Sequence, residues 1–111
     1  LVLGHGACGG VAAALSRRFK GGPNGQGGFI ANWVDILGAA RERIVAEHGT
    51  GPEAVRALEL ETVRVSLVNL MTFPFVAERV KAGTLTLHGA YFAIADGVLH
   101  VMDADGAFAP A

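Results

Sequence analysis

Cysteine is nearly absent: the 111 residues hold one, Cys8. A single thiol excludes an internal disulfide and fits a reducing compartment, so the expected location is cytoplasmic. Charge of one sign is also missing, since nine basic residues stand against ten acidic ones for a net charge of −1. That balance argues against a nucleic-acid partner, and the short Arg17, Arg18, Lys20 cluster reads as a solvated helix end. No apolar run approaches the roughly 18 residues that a membrane helix needs, so no membrane partner is expected. Nor is there an initiator methionine or a signal peptide. The opening in mid-strand at Leu1 leads us to expect an N-terminal part upstream.

What is present is concentrated in Gly4-His5-Gly6-Ala7-Cys8-Gly9-Gly10. A histidine and the only cysteine stand three positions apart on a glycine-rich turn, between an apolar strand at residues 1–3 and an alanine-rich helix expected from about Val11. Imidazole nitrogen and thiolate sulfur are both zinc donors, at about 2.0 to 2.3 Å, and this spacing lets the two converge on one soft cation. Other readings of the same residues remain. Gly4-x-Gly6-x-x-Gly9 matches the dinucleotide fingerprint, which needs an acidic residue about 20 positions on; no acid follows before Asp35. A P-loop lacks its Lys-Ser/Thr pair after Gly10, and a cysteine phosphatase lacks its arginine, because Ala14 holds that place. A buried cysteine and a surface histidine in an ordinary turn is the plainest alternative.

The length suits one domain that buries about two-thirds of the surface of its unfolded chain. Residues 11–19 read as a helix, and residues 21–28, with five glycines and Pro23, as a loop. Ile30, Trp33, Val34, Leu37, Ile44 and Val45 then recur at helical spacing. Thr50-Gly51-Pro52-Glu53 has the spacing of a capping box, with Thr50 as N-cap of a second long helix whose apolar stripe is Leu60, Val63, Leu67, Leu70 and Met71. Pro74 should end that helix near Phe73, before a shorter one closed by Gly83. Residues 84–94 predict a strand, Asp96-Gly97 a two-residue hairpin turn, and residues 98–103 an antiparallel edge strand with His100 pointing outward. The tail at residues 104–111 is expected to be loose. His48 reads as a solvated helix end, and His88 as a strand histidine bonded to backbone. The order of elements describes an α/β fold, three-layered with a mostly parallel sheet and an antiparallel C-terminal hairpin strand, here incomplete.

The segment from Leu1 to Val11 resembles the His-x-x-Cys-Gly-Gly region of the β-class carbonic anhydrases. The later run Asn69-Leu70-x-Thr72-Phe73-Pro74-Phe75-Val76, then Gly83-x-Leu85-x-Leu87-His88-Gly89 and Asp96-Gly97, is similar to the C-terminal half of the same family. On that resemblance, residues 1–103 are the C-terminal part of a single domain. It implies reversible hydration of carbon dioxide to bicarbonate by a zinc-bound hydroxide, with Zn2+ held by two cysteines and a histidine. His5 and Cys8 match two of those ligands, and Gly9 matches the residue whose N–H lies near the substrate. A homodimer or higher homo-oligomer is implied as well.

Two departures qualify what is carried over. The family's Cys-x-Asp-x-Arg segment, with the remaining zinc ligand and the Asp-Arg pair that orients the zinc-bound water, has no counterpart in these residues, so the chain alone is expected to be inactive. Some bacterial members hold a non-catalytic bicarbonate with a tyrosine that aligns with Phe92, beside Tyr91; phenylalanine has no hydroxyl, so that control is not expected. The alternative functions are a non-catalytic zinc-binding or assembly module and, more remotely, a dinucleotide-binding domain.

Overall fold

A computed structural model describes residues 1–16 and 35–111. The loop expected at residues 21–28 and the start of the helical stripe, Ile30 to Val34, lie outside the described residues. The chain divides into two compact units, one formed by Leu1–Gly6 with Val63–Ala111 and the other by Ala7–Thr62.

The first unit is a sheet with helical cover. Its strands are β1 (Val2–His5), β2 (Gly89–Ala93), β3 (Val98–Met102) and β4 (Phe108–Pro110), in that order across the sheet. β1 pairs with β2 in parallel, and β2 with β3 and β3 with β4 antiparallel. The result is a mixed sheet in an incomplete α/β fold. Register places His5 beside Phe92 and Phe92 beside Leu99, while Leu3 neighbours Ala90 and Ala90 neighbours Val101. Leu3, Phe92, Leu99 and Val101 on this face are exposed. The opposite face carries Gly89, Tyr91 and Ala93, all buried. A Cβ on Gly89 would stand 2.9 Å from Leu67 and 3.0 Å from Val63, so only glycine admits those two side chains so close to the strand.

The second unit holds α1 (Gly9–Ser16), a 3₁₀ turn at Asp35–Leu37, α2 (Gly38–His48) and the first part of α3 (Pro52–Leu70). Alanine and leucine favour helix in α1, and its buried side chains are Val11, Ala13, Ala14 and Leu15. Leu37, Ala40 and Ile44 complete a small-residue core with Ala54 and Leu58. Arg41 Nε donates to the Leu15 carbonyl at 2.8 Å, satisfying an orphan acceptor in the last turn of α1. Arg43 and Glu61 form an ion pair at 2.6 Å.

Several expectations change at the level of single residues. Thr50 is not the N-cap of α3: the helix begins at Pro52, and Val55 N–H donates to Gly51 O at 3.1 Å. Proline at the first helical position has a preset φ and no N–H to leave unpaired, and that fixes the start. The buried side of α3 is Ala54, Leu58, Glu59 and Val63, whereas Met71 is exposed. As expected, Pro74 interrupts the helical run, and the next helix, α4 (Pro74–Lys81), is bent away by 88°. Gly83 closes it at φ +77. No single described helix is long and apolar enough to cross a membrane.

The strand expected over residues 84–94 is confined to β2. Thr84 is used to end α4 instead: its N–H and hydroxyl both donate to the Arg79 carbonyl, at 3.0 and 3.2 Å. The hairpin at Asp96-Gly97 exists, but its loop takes four residues, since Ala93 pairs with Val98 and Gly97 N–H donates back to Ala93 O at 2.8 Å. Residues 104–111 are not a loose tail. Asp103 Oδ1 accepts the N–H groups of Asp105 and Ala107 at 2.8 and 3.0 Å, which builds the turn into β4. Arg64 Nε then donates to Gly106 O at 2.7 Å, and its guanidinium lies 5.1 Å from the centre of the Phe108 ring. β3 is therefore an interior strand, and His100 packs its ring 6.2 Å from that of Tyr91.

Candidate metal centre

His5 is the last residue of β1, set by the parallel register with β2 and by the bond from Gly6 N–H to Phe92 O at 2.9 Å. Its side chain is exposed, and Nδ1 bonds its neighbour's carbonyl, Gly6 O, at 2.9 Å. A carbonyl can only accept, so in the neutral ring this contact puts the hydrogen on Nδ1 and leaves the Nε2 lone pair available. This tautomer is the one a metal-ligating histidine adopts when its other nitrogen is held by a carbonyl. Gly6 has little room for a side chain, because a Cβ there would stand 3.1 Å from the Tyr91 hydroxyl.

Cys8 belongs to the other unit, where it caps α1: its carbonyl accepts the N–H of Ala12 at 3.0 Å. The thiol is free and partly exposed. Ala7, just before it, has φ 53, the left-handed conformation in which a non-glycine residue costs roughly 1–2 kcal/mol. Gly9 opens the helix and is exposed, with nothing within 4 Å of where a Cβ would be. As the first helical residue it has an N–H without an intrahelical acceptor.

Glu59 is the residue that reading the sequence missed. It is 4% exposed, the one buried charged side chain among the described residues. Its Oε2 accepts the backbone N–H of Cys8 at 3.1 Å, across 51 positions of sequence. Periodicity held the only available signal: Glu59 follows Leu58 on the inner side of α3, where an exposed-face acid does not belong.

His88 precedes β2 with its side chain exposed, and its carbonyl accepts the Val2 N–H at 2.8 Å. His48 is exposed at the end of α2, with Nε2 3.7 Å from Glu47. Among the described residues, no group of three His, Cys, Asp or Glu side chains is placed to hold a metal ion. The donors at hand therefore fit zinc in kind, one nitrogen and one sulfur, and fall short of its usual three protein ligands in number.

The family model described as carbonic anhydrase matches residues 1–99. Beta carbonic anhydrase 6, mitochondrial, of Arabidopsis thaliana is 33% identical over 98 residues, which cover 86% of this chain and 33% of that protein. Beta carbonic anhydrase 3 of the same plant is 33% identical across 100% of this chain and 43% of its own length. The solved structure of the beta-carbonic anhydrase CcaA superposes with a TM-score of 0.84 at 23% identity, covering 98% of this chain and 53% of that one. At that identity the likeness establishes the fold. The chain thus spans between a third and about half of the length of the proteins it matches.

Proposed function

Because this chain belongs to the β class of the carbonic anhydrase family, we propose that it carries part of the active site of an enzyme that interconverts carbon dioxide and bicarbonate. His5, through Nε2, and Cys8, through its sulfur, are two of three zinc ligands, and the third comes from residues outside these 111. The observation that carries this reading is the contact of His5 Nδ1 with Gly6 O, followed three residues on by a cysteine at the start of α1. Zinc, when bound, lowers the pKa of a water to about 7 and so supplies a nucleophile near neutrality.

The chain's own residues have three tasks. His5 and Cys8 bind and orient. The Gly9 N–H, left over at the start of α1, donates a hydrogen bond to a substrate oxygen, and the absent side chain keeps that approach open. The row of Phe92 and Leu99 beside His5 gives an apolar, unreactive wall, which suits a small uncharged gas better than a phosphate or a sugar. Oligomerisation into at least a homodimer belongs to the same reading.

Metal analysis and a carbon dioxide hydration assay, before and after chelation, test it on the full-length protein and on the 111-residue chain. We expect one zinc per full-length polypeptide, loss of that metal in Cys8→Ser, and no hydration by the 111 residues alone. A full-length protein with neither zinc nor hydration would overturn the assignment. For the 111 residues by themselves the second reading, an assembly module without catalysis, is favoured by the lack of a three-donor cluster among the described residues.

A further inference from the structure

We propose that Glu59 is a positioning residue for Cys8, fixing the thiol by gripping the backbone beneath it. The inference rests on the reading of Cys8 as a metal ligand. Helix α1 lacks the device that usually secures a helix start. In a capping box the third helical residue is Glu or Gln and reaches back to the N–H of the cap; here that residue is Val11, and the first turn has no acid. Glu59 does this from another helix, accepting the Cys8 N–H at 3.1 Å. The carboxylate also lies at the positive end of the α1 dipole, which favours an anion there.

Two further facts show that the turn is built and not incidental. A carboxylate at 4% exposure is costly to bury, so its place in the core of the unit is bound to its partners. Ala7 sits at φ 53 immediately before Cys8, and such a conformation persists only where the surroundings hold it. With the Cys8 N–H released, Ala7 relaxes toward the ordinary regions and the Cα–Cβ bond of Cys8 swings with it. A ligand displaced in this way loses metal affinity even though it touches nothing new.

The test has two arms. In the 111-residue chain, the Cys8 amide is expected to be protected from hydrogen exchange in step with the amides of α3; exchange at the rate of an unstructured peptide would overturn the proposal without any substitution. In the full-length holoprotein, zinc affinity from chelator competition is expected to fall by about 10- to 100-fold in Glu59→Leu. Glu59→Gln keeps an acceptor oxygen in place and should stay close to the parent. Equal loss in both variants, or none in either, refutes the role. If Glu59→Leu does not fold, the Gln variant decides: retained affinity with a protected Cys8 amide supports the brace, and lost affinity overturns it. A parent protein that binds no zinc sinks the functional reading, while the exchange experiment still judges the grip on Cys8.

Discussion

The two units are held together by different means. In the sheet unit most positions are fixed by backbone: three strand pairings, the bond from Asp103 N–H to Ala107 O and the Gly97 return bond all run through N–H and C=O groups. In the helical unit the strands' ladder has no equivalent, and the elements are tied by side chains, namely Arg41 to Leu15 O, Arg43 to Glu61 and Glu59 to Cys8 N–H. Backbone ladders tolerate substitution. A side-chain tie is lost with one residue, so the half that bears Cys8 is the more fragile to mutation.

The largest break is expected at Leu58, fully buried in the helical unit. Leu58→Ala should cost about 2–5 kcal/mol, because removing a fully buried side chain leaves a cavity that its surroundings refill only in part. Chemical denaturation read by circular dichroism checks the size, and a loss below about 1 kcal/mol would contradict the placement of Leu58 at the centre of that unit's core. In the sheet unit side chains also contribute, Asp103 at the turn and Arg64 across it. Arg64→Met removes the bond to Gly106 O and the contact with Phe108, for which about 1–2 kcal/mol is expected. The β3 to β4 ladder should then open first, seen as faster amide exchange at Ala109 and Ala111 with β1 and β2 unchanged. If all four strands loosen together, the division into backbone-held and side-chain-held parts fails. The smallest effect has the opposite sign. Ala7→Gly relieves the left-handed strain, worth about 1–2 kcal/mol, against about 0.4–1 kcal/mol of added chain entropy. A net gain of about 0.5–1 kcal/mol in unfolding free energy is expected, and a loss would show that Ala7 is not strained.

Much of this was legible in the residues. The His5-x-x-Cys8-Gly9-Gly10 pattern, the break at Pro74, the stop at Gly83 and the hairpin at Asp96-Gly97 each depend on one or two residues with narrow conformational preferences, so local sequence decides them. What escaped was non-local. Thr84 looks like the start of a strand until the last turn of α4 claims its N–H and hydroxyl. The last strand, β4, is only three residues long and ends in proline, so nothing local marks it; it is held by its pairing with β3 and by Arg64, 42 positions upstream, which donates to Gly106 O. Glu59 reads as one more helix acid until the fold brings the naked start of α1 against it. Partners chosen by tertiary structure leave at most a misplaced acid on an apolar face, and for Thr84 and β4 not even that.

The face of the sheet that carries Leu3, Phe92, Leu99 and Val101 has a practical consequence for anyone handling these 111 residues. Greasy, level and open to water, it is the kind of surface that salting-out agents drive into self-association. Buffers low in sulfate and phosphate are therefore the first choice for keeping solutions clear, and the choice matters most at the protein concentrations that spectroscopy demands.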